Sequence, residues 1–384
     1  MKKRNLILLS SSLCIVLALS LTNSSARGGD KNDSILNNHQ TITVIGSTVP
    51  SNGDINPYGV ARVTRTVGKL QVGHTLVSNF NNSANQQGTG TTIVDVAPNG
   101  VLSVFAQIDA TKLPGPCPGG VGLTTALVFL RDGWVVVGSL PTSDGTSSTA
   151  QAGCLIVLDS LGNAVETIYG SLINGPWDMT VYDQGGQATL FVTNVLNGTV
   201  AANGNVVNEG TVVRINLGVS ENQMPWIESA TVVGTGFEER SDPAALVLGP
   251  TGVGLSPICS GGDACTTAAN AVLYVSDTLR NRIASIPNAL TRITAAGTGT
   301  TLTVRGSLNA PLGLTVARDG EILVVNGGDG YITEITPSGI QVAKTLLDDT
   351  GTPPGSGALF GLIVDPAQGI IFVDDVSNTL NKLK

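Results

Sequence analysis

A short apolar run that stops on a small polar residue recurs six times along the chain. The copies are LVSN ending at Asn79, VVGS at Ser139, FVTN at Asn194, YVSD at Asp277, VVN at Asn326 and FVDD at Asp375. A second run stands a short way upstream of each. These read NPYGVARV from Asn56, GLTTALVFL from Gly122, GPWDMTVYD from Gly175, GPTGVGLSP from Gly249, APLGLTVARDG from Ala310 and ALFGLIVDP from Ala358. After each polar stop comes a third β-run and usually a fourth, as in TTIVDVAPNG then VLSVFAQI, or YITEITPSG then IQVAKTLL. No segment sustains a helical period, while Val, Thr and Ile fill short stretches broken by Gly, Asn, Asp and Pro. Each unit therefore reads as a four-stranded antiparallel meander of about 60 residues. A sheet of that size must bury both faces against its neighbours, so six copies predict an all-β, six-bladed β-propeller.

The chain ends bear on the same expectation. The sixth unit ends early, with only TLNKLK after its second strand, and TITVIGSTV at 41–49 is a lone strand before the first unit. That strand is expected to complete the last blade from outside, which closes the ring and removes a free edge. The organisation expected is a signal peptide at 1–26, a polar leader at 27–40 and one propeller at 41–384. Its blades fall at about 56–108, 121–170, 175–234, 246–305, 310–348, and 358–384 joined by 41–49.

The 384 residues include only 12% charged and 41% hydrophobic ones, which excludes a disordered chain. A net charge of −8 argues against nucleic acid, whose phosphates call for clustered Lys and Arg. Lys2, Lys3 and Arg4, the apolar stretch Leu6 to Leu21, and Ser24 and Ala26 form the signature of a secretory signal. No later segment approaches the ~18 apolar residues needed to span a bilayer, so no membrane insertion is expected after signal removal. The mature chain is expected in the periplasm or outside the cell. Four cysteines would remain there, and an even count in an oxidising compartment predicts the disulfides Cys117–Cys154 and Cys259–Cys265. A zinc site would need a C-x-x-C spacing or a nearby His, and neither is present.

The run LYVSDTLRNRIASI, 273–286, resembles the core of an NHL repeat, and APLGLTVARDGEILVVNG and ALFGLIVDPAQGIIFVDD are similar to the same repeat. The arrangement resembles the secreted, six-bladed, TolB-like NHL propellers. That resemblance implies the fold and no single activity, since propellers host many tasks. Gluconolactonase-like propellers hold a divalent ion with a Glu on an early strand, and the corresponding run here, NPYG, lacks it. His39 and His74 are the only histidines and are far apart, unlike the clustered His of propeller lyases.

Two sets of residues are expected at one end of the central channel, the end carrying the second-to-third-strand and blade-to-blade loops. The first is the polar ring Asn79, Ser139, Asn194, Asp277, Asn326 and Asp375. Its hard oxygens suit a Ca²⁺-type cation, with Asp277, Asp375 and Asn326 as the metal-ligand candidates. The same residue types also cap strand ends by bonding local backbone. The second set follows from aligning the first strands, which places Gly59, Thr125, Asp178, Gly252, Gly313 and Gly361 in one column. Asp178 is the acid among them, and Tyr58, Trp177 and Phe360 stand one place earlier. Aromatics with one acid make either an apolar, weakly anionic binding pocket or inter-blade packing. Long loops at 111–120, 141–153 and 196–210 lie at the same end, where binding usually resides. No G-x-S-x-G, H-E-x-x-H or P-loop pattern occurs. The function expected is a binding or interaction scaffold for a small molecule, glycan or protein. The alternative is a metal-assisted hydrolase or lactonase built on the Asn/Asp ring.

Overall fold

β-Branched runs of five to eight residues pair readily with their sequence neighbours, and turn residues between them set antiparallel hairpins. The computed structural model, which describes residues 34–258 and 266–384, shows six such sheets arranged as a β-propeller. A helical turn, α1 (Ile35–Asn38), leads into β1 (Ile42–Ser47). The first blade is β2 to β5 (Ile55–Arg62, Thr75–Asn81, Thr92–Val96, Leu102–Gln107), and the second is β6 to β9 (Leu123–Phe129, Val135–Ser139, Cys154–Leu158, Ala164–Ile168). The third holds five strands, β10 to β14 (Pro176–Asp183, Gln187–Asn194, Val207–Ser220, Gln223–Asp242, Leu246–Leu248). The fourth is β15 to β18 (Pro250–Leu255, Leu273–Asp277, Arg282–Ile286, Thr300–Val304), and the fifth is β19 to β22 (Pro311–Val316, Ile322–Asn326, Tyr331–Ile335, Gln341–Leu346). The sixth combines β23 to β25 (Leu359–Asp365, Gly369–Asp374, Thr379–Leu383) with β1, which pairs antiparallel with β25 from Ile42↔Leu383 to Ser47↔Thr379. The N-terminal strand thus completes the last blade, as the sequence predicts.

The inner strands decide the width of the channel. Each one breaks register near its start, as between Pro57 and Val60 or Pro311 and Leu314, a bulge that turns the strand toward the axis. At the bulge neighbouring blades nearly touch. A Cβ on Gly313 would lie 1.8 Å from the Phe360 carbonyl oxygen, and one on Gly361 would lie 2.1 Å from that of Tyr58. Only glycine fits there. In the second blade the break spans Leu123 to Leu127, one residue more than in the others, so Ala126 shares with Thr125 the place the alignment gave to Thr125 alone.

The described end of the expected polar leader is docked on the propeller, since Leu36 is fully buried and α1 is held by Glu334 of β21. One expected boundary is corrected. The third blade does not end near 234, since β13 runs on to Asp242 and β14 follows it. The expected signal peptide and the expected Cys259–Cys265 bond lie outside the described residues. Cys117 and Cys154 are bonded, with Cα atoms 5.1 Å apart. Among the described residues no helix is long and apolar enough to cross a membrane.

Candidate functional site

The polar ring exists, with one member displaced. In five blades the stop pairs across from the residue two places before the column, as Asn79 does with Pro57 and Asn326 with Pro311. In the sixth blade that partner of Leu359 is Asp374, so Asp375 lies one place beyond the ring. Pairing decides between two adjacent aspartates that the sequence could not separate.

Ring members spend their hydrogen bonds on the protein itself, within their own blade or on the connections beside it. Asn79 Nδ2 donates to the Thr48 carbonyl (3.0 Å), Ser139 Oγ accepts from Gly122 N–H (3.0 Å), and Asn194 Oδ1 accepts from Asn174 N–H (3.1 Å). Asp277 is buried against Arg282 Nε (2.7 Å), Asn326 Nδ2 donates to the Ser307 carbonyl (2.8 Å), and Asp374 accepts from Ser377 N–H (3.0 Å). Burial first, then Asp374, pushes the Asp375 carboxyl up to about 7. One polar atom each on Asn79, Asn194, Asp277 and Asn326 is buried without a partner. These atoms belong to four blades, on strands that stand about 4.8 Å outside the inner ones. Among the described residues no three of His, Cys, Asp and Glu cluster so as to hold a metal ion.

The aromatic set forms a plug, and the expected pocket at that end is closed. Tyr58 stacks on Phe80 (centroids 4.4 Å) and on Phe360 (3.9 Å), and Trp177 packs at a tilt on Phe360 (6.4 Å). All four rings are buried. The third blade supplies the cover. Leu246 and Val247 of β14 join Leu140 over the rings, and the space left is about 10 Å³. Leu246 takes φ +60°, a left-handed conformation costly for a leucine. Around the cover, Gln87 Nε2 donates to the Ala244 carbonyl (3.2 Å) and Glu239 accepts from Asn197 N–H (2.8 Å). Burial pushes Glu239 up to about 8.

Asp178 lies just past the plug and bridges two blades. Its Oδ1 accepts from Met179 N–H (2.8 Å) and its Oδ2 from Val253 N–H of β15 (3.0 Å). Burial outweighs both bonds and pushes the carboxyl up to about 8, so at neutral pH it is mainly the uncharged acid. From that level a cavity of about 240 Å³ runs along all six inner strands, reaching the last residue of β2, β6, β15 and β19 and Val181 and Ile363 of β10 and β23. The central channel is therefore sealed at the loop end and open at the other. His39 bonds the Ile35 carbonyl and His74 bonds Asp95, both away from the channel.

One residue at the open end escaped the alignment. Counted from the bulge, Arg62, Phe129, Val181, Leu255, Val316 and Val364 share one level of the inner strands. A lone Arg among five apolar residues is visible in the sequence once the copies are extended past the bulge.

No protein family and no curated protein matches this sequence. Solved structures do match. A putative oxidoreductase (glucose dehydrogenase) from Thermus thermophilus superposes with TM-score 0.53 at 12% identity, over 90% of this chain and 100% of that one. A gluconolactonase from Xanthomonas campestris gives 0.51 at 13%, over 89% of each chain. A putative gluconolactonase gives 0.51 at 14%, over 90% of this chain and 92% of that one. Likeness at such identity is likeness of fold, and the class it defines is the six-bladed β-propeller.

Proposed function

We propose that the chain is an exported binding scaffold, which presents the loop cluster of its first three blades to a partner. The observation that carries this reading is the order built into those loops. The Cys117–Cys154 bond ties the loop entering the second blade to the start of β8. Thr142 Oγ1 reaches the Gln87 carbonyl of the first blade, and Ser241 Oγ reaches the Thr199 carbonyl within the third. The strand pairing that closes the ring, β1 with β25, includes none of these contacts, and loops held rigidly on a ring are the usual place for recognition. The plug beneath makes the face a platform, which suits an extended partner such as a glycan or protein better than a small molecule. A disulfide fits the oxidising compartments that export reaches, and the NHL-like runs fit the same class of propeller.

Screening by thermal shift and on a glycan array tests the proposal, because a specific partner raises the melting temperature by mass action. A hit should be lost when residues 196–206 are replaced by a short Gly-Ser link. A hit that survives that change would place recognition elsewhere.

A second reading, a metal-assisted hydrolase or lactonase, draws on the partnerless buried oxygens of Asn79, Asp277 and Asn326 and on the neighbours named as gluconolactonases. Calorimetric titration with Ca²⁺ and an assay for lactone opening test it. Saturable binding lost in Asn326→Ala would favour it over the scaffold.

A further inference from the structure

The open end of the channel carries a feature that the loop face does not explain. Arg62 Nε lies 2.5 Å from Asp365 Oδ2, and the Asp365 side chain is 1% exposed while that of Arg62 is 30% exposed. Among the described residues neither Nη1 nor Nη2 of Arg62 has a hydrogen-bonding partner. The guanidinium is thus ion-paired with Asp365 through Nε, without an aligned hydrogen bond, and Arg62 is one of the residues lining the cavity.

We propose that the open end of the channel binds a small organic monoanion, a carboxylate held on the free edge of Arg62 with an uncharged, hydrogen-bonding tail directed toward Asp178. The planar guanidinium fork matches a carboxylate through two parallel N–H···O bonds. Arg62 and Asp178 are the only charged residue types among the lining residues. Asp178 is held mainly uncharged at pH 7, so it does not repel the anion. Three strand residues separate the two levels, which is about 10 Å along the axis. Cavity size sets the scale: about 150 Å³ accepts benzene, and drug-sized pockets start near 300 Å³. At about 240 Å³, this cavity suits a molecule of roughly ten non-hydrogen atoms. The free edges of the inner strands supply further N–H and C=O groups to the tail. The site is independent of the loop face and stands or falls apart from it.

The test is calorimetric titration of the purified protein at pH 7 with three probes of one length: 6-hydroxyhexanoate, hexane-1,6-diol and hexane-1,6-diamine. The hydroxy acid should bind saturably, with the diol at least about tenfold weaker and the diamine silent. Arg62→Lys keeps the charge beside Asp365 but loses the planar fork, and should weaken the hydroxy acid by roughly tenfold. Thr315→Phe fills the cavity between the two levels and should abolish binding while the melting temperature stays near that of the parent. The inference is overturned if the parent shows no saturable binding of the hydroxy acid up to about 10 mM. It is equally overturned if the diol or the diamine binds as tightly, or if folded Thr315→Phe binds as before. Should Thr315→Phe not fold, Arg62→Lys decides, and unchanged affinity in it counts against the site.

Discussion

Asp178 occupies a position where four of the other blades carry glycine, and its carboxyl spans the gap that glycine closes by contact. Its folded-state value of about 8 lies above the 3.8 of a free aspartate, so folding favours the protonated form. The stability this gives is complete below about pH 4 and is lost as pH rises through about 8. Glu239, Asp375 and Glu321 are shifted the same way by burial. Melting temperature should therefore fall between pH 5 and pH 8.5, and Asp178→Asn should make the fall shallower. The variant should also melt lower than the parent at pH 5, because an amide cannot accept both the Met179 and Val253 N–H groups. An unchanged pH profile in calorimetry would show that Asp178 ionises without cost. Gly313→Ala should lose about 2 kcal/mol or more in denaturant titration, since its Cβ meets a backbone carbonyl that cannot swing aside. At this scale the sequence showed which positions depart from the repeat. It did not show that Tyr58, Trp177 and Phe360 are sealed, because the residues sealing them, Leu246 and Val247, lie some seventy positions after Trp177 and outside the repeat.

Among the elements, the six inner strands and the closing role of β1 follow from periodicity, and both were readable. The β13–β14 extension was not, because an apolar tripeptide between blades resembles any linker until its contacts are known. The docking of the leader was not readable for a related reason. Ser34 Oγ and the N–H groups of Ile35 and Leu36 all bond the Glu334 carboxylate, at 2.6, 2.9 and 2.9 Å, and nothing local to 34–40 signals a partner three hundred residues away. Glu334→Ala should release α1, and limited proteolysis should then cut before residue 41 while the propeller stays intact. Resistance equal to the parent would show that Leu36 alone holds the leader. The Cys117–Cys154 bond closes 37 residues, for which chain entropy gives about 4 kcal/mol at most. The double variant Cys117→Ser/Cys154→Ser should lose up to that amount in denaturant titration and still fold, since the ring closes without it.

For the whole molecule, closure of the ring and blockage of one end leave two separate surfaces, an ordered loop platform and a cavity open at the opposite face. The fold was legible because six copies average out the irregularity of each. Which end of the channel is open was not, because the repeat fixes which strands line the axis but not which end a neighbouring segment covers. Site-directed thiol labelling tests that arrangement most directly. Thr315→Cys lines the open cavity, and Thr124→Cys sits under the plug. In the native protein a small methanethiosulfonate reagent should modify Thr315→Cys rapidly, above the background of the parent, and leave Thr124→Cys protected until denaturant is added. Rapid labelling of Thr124→Cys with Thr315→Cys protected would put the opening at the loop end and contradict the account.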